Sequence, residues 1–141
     1  MMRKFLRSKI HRALVTQADL DYEGSLTLPP DLMRAAGILP HEAVSVWDVT
    51  GGGRLETYAI EGEEGSRDVC INGAAAHVVR PGSLIIIATF CYCGEASGEV
   101  NPPEPKVVFV DQHNQITYTG SEIPGPRRRG VLHGDTLDAC C

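Results

Sequence analysis

The sequence predicts a mainly β protein, a small closed barrel of short strands carrying one or two short helices. Three observations carry that prediction. Apolar and β-branched segments recur between turn signals such as Gly51-Gly52-Gly53, Pro81-Gly82 and Asn114. The longest apolar block, Ser83-Leu84-Ile85-Ile86-Ile87-Ala88-Thr89-Phe90, has the length and composition of a buried strand. Clear helix start and stop signals bracket one short segment, from Pro29-Pro30-Asp31 to Gly37.

Taken in order, residues 2–16 predict a strand, because Phe5, Ile10, Leu14 and Val15 do not keep one helical face. Residues 17–25 are polar and predict a loop, with Gly24 breaking any regular element. Leu26-Thr27-Leu28 predicts a short strand, and the helix follows through Leu32, Met33, Ala35 and Ala36. Ala43–Thr50 predicts a strand in which Val44, Val46 and Asp48 oppose Ser45, Trp47 and Val49. After the triple-glycine turn, Arg54–Ile60 returns antiparallel, with Arg54, Glu56 and Tyr58 on one face and Leu55, Thr57 and Ala59 on the other. Asp68–Ile71 is a short strand, and Asn72-Gly73-Ala74-Ala75-Ala76-His77 starts with small residues. Residues 83–90 form the buried strand, and 94–105 are a Pro/Gly/Glu-rich loop. Lys106–Val110 is a strand that Gln115–Tyr118 pairs back onto. The expected domain spans residues 1–123, and 124–141 reads as a disordered basic tail.

At 141 residues, 43% apolar and 22% charged, the chain has the size and make-up of one globular domain. No run approaches the roughly 18 apolar residues of a membrane span, and no secretory signal opens the chain, so a cytoplasmic location is expected. The five cysteines are odd in number and irregularly spaced, which argues against a disulfide framework. Cys91 and Cys93 would share a strand face, without the further ligands a metal site needs; no metal is expected. The net charge of −5 excludes a uniformly basic nucleic-acid binder, although Arg3, Lys4, Arg7, Lys9 and Arg12 form a local basic stretch.

The Gly24-Ser25 bond is where chemistry is expected. Glycine reaches backbone conformations closed to other residues, so its carbonyl can be pressed towards the neighbouring hydroxyl. Attack of the Ser25 hydroxyl on the Gly24 carbonyl turns the amide into an ester. Elimination across Ser25 and hydrolysis then leave a pyruvoyl ketone at a new amino terminus. Gly-Ser is also a common turn dipeptide, so the pair alone does not establish cleavage.

Further motifs stand in a telling order: Lys-Ile-His-Arg at 9–12, Thr16-Gln-Ala-Asp19, Tyr22-Glu-Gly-Ser25, Ala-Ala-Gly-Ile at 35–38, Thr57-Tyr58-Ala-Ile and Asn72-Gly-Ala-Ala-Ala-His77. Together they closely resemble the pyruvoyl-dependent L-aspartate α-decarboxylases over residues 1–118. The resemblance implies a six-stranded double-psi β-barrel, a homotetramer, and self-cleavage into 1–24 and 25–141. It implies a carboxy-lyase that converts L-aspartate to β-alanine and carbon dioxide for pantothenate synthesis. The implied cofactor is the pyruvoyl group derived from Ser25, an electron sink for the leaving carboxylate. A maturation helper protein stays open as a partner; nucleic acid and membrane are not expected.

The resemblance also assigns roles. Ser25 is the cofactor precursor and Tyr58 the proton donor, while Thr57 stabilises the Gly24 carbonyl oxygen as charge develops. Because Thr57 and Tyr58 face opposite ways on a regular strand, one chemistry requires a bulge or a second subunit. Arg54 and Lys9 are the expected anchors for the β-carboxylate, since pairing the α-carboxylate would oppose its loss. Gly73, Ala74 and Ala75 would bring backbone amides to the substrate, and Tyr22 and Asn72 would support cleavage. His11 is a weaker candidate and His77 reads as structural. A rival remains in residues 26–38, which look like part of the swapped-hairpin DNA-binding regulators, with the amino-terminal cations on phosphates.

Overall fold

The computed structural model describes residues 1–23, 25–95 and 98–126. Gly24, the expected tail from residue 127 onwards, and with it the cluster 127–129 and the cysteines at 140 and 141, lie outside the described residues.

The described chain is mainly β, as the turn spacing predicts. Its strands are β1 (Met2–Leu14), β2 (Gln17–Asp19), β3 (Leu26–Leu28), β4 (Ala43–Asp48), β5 (Arg54–Glu61), β6 (Cys70–Asn72), β7 (Leu84–Gly94), β8 (Lys106–Val110) and β9 (Ile116–Gly120). One helix, α1 (Pro30–Ala36), and one 3-10 turn, Gly73–His77, complete it. Proline at its first position starts α1, and Gly37 at φ 66° stops it in the left-handed conformation glycine tolerates.

The ladders run in the order β2-β6-β3-β5-β4-β7-β1-β8-β9, mixing parallel and antiparallel pairs. β1 is long enough to serve both β7, antiparallel, and β8, parallel. Register shifts between Leu6 and Ser8 and between Ile10 and Ala13 bend it, with Arg12 at φ 64° inside the second. Inward residues fill one core: Ile10, Leu26, Leu28, Val44, Val46, Ala59, Ile71, Ile85 and Ile87 are all buried. Each Leu, Ile or Val side chain so buried contributes about 1.5–3 kcal/mol. Val107 to Val110 are buried on both faces of β8, the continuous pattern of a strand covered on two sides.

Three expectations change in detail. The polar stretch after residue 16 is not all loop, because β2 pairs in parallel with β6. The buried strand runs on to Gly94, because Met2 to Leu6 pair with its second half. The three-residue β6 ends on Asn72, one residue later than the sequence predicts.

Candidate functional site

The position of Ser25 follows from the register of β3. Leu26 pairs in parallel with Ala59 of β5 and antiparallel with Ile71 of β6. One residue earlier, Ser25 stands level with Tyr58 on one side and Asn72 on the other. On the Asn72 side the contact is a hydrogen bond, the Asn72 N–H donating to the Ser25 carbonyl at 2.9 Å. Ser25 itself is half-buried, and Tyr22 before it is exposed.

Asn72 is well fixed for this task. It is buried, and its Nδ2 donates to Thr27 Oγ1 at 3.2 Å, so both its backbone and its side chain tie β6 to β3. Gly73 then turns the chain at φ 61°, a left-handed conformation that a side chain would strain. The segment expected to offer backbone amides, Gly73 to Ala75, therefore continues directly from the residue that holds Ser25.

β5 alternates as the sequence predicts. Arg54, Glu56 and Tyr58 are exposed, Leu55 and Thr57 half-buried, and Ala59 buried. The β4·β5 ladder runs unbroken from Ala43 opposite Tyr58 to Trp47 opposite Arg54, without a bulge to turn Thr57 towards the Tyr58 face. The Arg54 guanidinium lies over the Trp47 ring, 5.1 Å from its centroid. At four residues' remove, Arg54 sits about 13 Å along the strand from Tyr58.

Lys9 is farther round the sheet. It is level with Ala88 of β7, which is level with Ser45 of β4, which faces Glu56 of β5. Three ladders therefore separate Lys9 from β5, roughly 14 Å along the sheet. Its ammonium is paired with Glu122. One chain thus gathers Ser25, Tyr58, Asn72 and Gly73, and leaves Lys9 and Arg54 apart from them. His11 packs its ring edge against Phe109, with centroids 5.5 Å apart, and His77 ends the 3-10 turn, exposed.

The open groove on the β3–β6 side, about 370 Å³, is lined by Tyr22, Thr27, Glu61, Glu63, Asp68 and Cys70 among others. Three carboxylates there oppose entry of a doubly acidic substrate. Burial, with the Asp68 charge beside it, pushes the Cys70 thiol up and makes it a poor nucleophile. Among the described residues, no group of three or more His, Cys, Asp or Glu side chains is placed to hold a metal ion.

The fit to a pyruvoyl group rests on Ser25. The residue that would carry the ketone is half-buried, its carbonyl is held by Asn72, and a phenol-bearing strand runs alongside. The residues present therefore suit that group.

Sequence reasoning does not find Thr27, His41 or Glu122. Thr27 supports Asn72 across a ladder, and the His41 ring stands 6.3 Å from that of Tyr58. His41 also has φ 68°, and its N–H donates to the Ala59 carbonyl at 2.8 Å. None of these contacts is local in sequence; the Gly-Ile-Leu-Pro-His turn gives no hint of what it meets.

A family model described as aspartate decarboxylase matches residues 1–117. The aspartate 1-decarboxylase of Legionella pneumophila (strain Lens) is 62% identical over 127 residues, covering 90% of this chain and 94% of that one. That of Myxococcus xanthus (strain DK1622) is 58% identical over 132 residues, covering 93% and 100%. That of Rhodopirellula baltica is 54% identical over 127 residues, covering 90% and 80%. These likenesses leave the DNA-binding alternative without support. The fold agrees, since β7 lies between β1 and β4 and is integral to the sheet rather than an addition to a short module.

Proposed function

Because the chain belongs to the aspartate decarboxylase family, we propose that it converts L-aspartate to β-alanine and carbon dioxide, supplying pantothenate synthesis, on a pyruvoyl group made from Ser25. The observation that carries this is the register of β3, which sets Ser25 between Tyr58 and Asn72. The group would form by cleavage of the Gly24–Ser25 bond, giving chains 1–24 and 25–141.

In cleavage, the Asn72 N–H fixes the Ser25 carbonyl, and Thr27 holds the Asn72 side chain in turn. Thr57 is assigned to the Gly24 carbonyl oxygen as negative charge develops on it, with Tyr22 supporting the loop. When bound in the chain, the pyruvoyl ketone supplies an electron sink for the departing carboxylate. Tyr58 delivers the proton to the former α-carbon, and its exposure leaves the phenol open to substrate. Gly73, Ala74 and Ala75 offer backbone N–H groups close to the reacting centre. Arg54 and Lys9 hold the β-carboxylate, and the α-carboxylate stays unpaired so that it can leave.

Arg54 and Lys9 reach one substrate with Ser25 only if copies of the chain share the site. A homotetramer meets that need. Supporting it, Trp47 and Phe90 pack ring to ring 6.4 Å apart on a partly open sheet face, beside Tyr92, which is exposed.

Denaturing intact mass tests the proposal first. Two chains are expected, 1–24 and 25–141, the larger lighter by one ammonia than a serine-headed chain, together with β-alanine production from aspartate. A single uncut mass that persists on warm incubation, with no β-alanine formed, overturns it.

A further inference from the structure

Lys9 is a closely enclosed cation with an ion-pair partner. Its side chain is 13% exposed, against 25–60% for those of Arg3, Arg7, Arg34 and Arg67. A cation so enclosed needs a counter-ion. The structure provides one from the far end of the chain. Lys9 is level with Val107 of β8, and Val107 with Gly120 of β9. Two residues past Gly120, Glu122 reaches back and pairs with the Lys9 ammonium. Glu122 is 49% exposed, so its carboxylate regains water readily on leaving.

We infer that Glu122 is an internal competitor of the substrate: its carboxylate occupies the Lys9 ammonium and must be displaced by the β-carboxylate of aspartate. This rests on the assignment of Lys9 as an anchor. Exchange of one carboxylate for another keeps Lys9 paired throughout, so the enclosed charge is never left bare. The consequence is a binding-competent fraction below one, which weakens apparent affinity without touching the proton-transfer step. A ligand lacking a second carboxylate leaves Lys9 with its internal partner, so the cost of displacing Glu122 falls on dicarboxylic ligands alone.

The test uses the full-length, cleaved protein. Glu122→Gln keeps size and removes charge; it is expected to lower the KM for aspartate about two- to fivefold with kcat unchanged. Succinate, a dicarboxylate without the reacting amine, is expected to bind more tightly to the variant by a similar factor in calorimetry. Glu122→Ala should do the same, which removes any effect of the new amide. Unchanged or weaker binding of both ligands overturns the inference. Lys9→Gln separates the two assignments. If Lys9 is no anchor, that variant binds aspartate and succinate as the parent does. If it is an anchor, binding weakens and adding Glu122→Gln to it has no further effect; a persisting effect also overturns the inference.

Discussion

The carboxamide of Asn114 grips both backbone groups of Leu14, accepting from its N–H at 2.8 Å and donating to its carbonyl at 2.9 Å. A side chain here imitates one rung of a β ladder at the point where β1 ends. The same Nδ2 donates to the Arg67 carbonyl, while Arg67 Nη1 donates to the Asn114 carbonyl, both at 2.9 Å. Asn114 is 1% exposed and sits at φ 56°, a conformation asparagine tolerates better than most residues. The end of β1, the turn before β6 and the β8–β9 turn are thereby fastened to one another.

Asn114→Ala should destabilise the protein by about 1–3 kcal/mol, because it strands partly buried backbone donors and acceptors. Asn114→Gly suits the φ value but restores none of the bonds. Chemical unfolding of both variants checks this. If the glycine variant matches the parent, the clamp contributes nothing and the backbone conformation accounts for the choice of residue.

That clamp marks where sequence reading succeeds and where it stops. Asn114 is legible as a turn residue, but its grip on Leu14 joins residues 100 positions apart in the chain and has no local signal. The helix is legible because Pro30 and Gly37 act within a turn of themselves, and β5 because its alternation is local. β2 is missed because Gln17 to Asp19 are polar and become a strand only through β6. The site divides likewise. Ser25, Tyr58 and Asn72 are readable as motifs, but their adjacency depends on the register of β3, and the Lys9–Glu122 pair joins opposite ends of the chain.

Asp31 gives the fold a dependence on pH. Burial would raise its carboxyl, but the hydrogen bond and charge of Arg67 outweigh that and hold it below the ordinary value of 3.8. A depressed carboxyl stabilises the folded state above its unfolded pKa, and the contribution is lost as pH falls through the lower folded value. Asp31→Asn should therefore melt below the parent at pH 7, modestly because the pair is partly exposed. The gap should close on acidification well below 3.8. A gap that is constant across this range excludes the charge of Asp31 as its source.

On the proposed assignment, Arg54 bears on substrate affinity rather than on chemistry. Its guanidinium rests on Trp47, which limits its motion and leaves its fork free for a carboxylate. Arg54→Ala should raise the KM for aspartate about ten- to a hundredfold, the loss of charge-assisted hydrogen bonds, with kcat much less affected. Cleavage should proceed as in the parent, which intact mass reports. An unchanged KM removes Arg54 as an anchor.

Ser25 and Tyr58 separate maturation from turnover. Ser25→Ala should fold and remain a single chain without activity, since the hydroxyl proposed to attack the Gly24 carbonyl is gone. Cleavage persisting in that variant would exclude the acyl shift altogether. Tyr58→Phe removes one oxygen from an exposed ring that borders Ser25 across β3 and β5, so the strand pairing survives. It should still cleave, yet lose about 10²–10⁴ in kcat, the usual contribution of a positioned proton donor. The fall should appear in kcat and kcat/KM alike, because the phenol acts in the transition state and does not hold the ground-state substrate. Full turnover by Tyr58→Phe would assign the proton to another group, and the His41 ring, 6.3 Å from that of Tyr58, would be the next to replace.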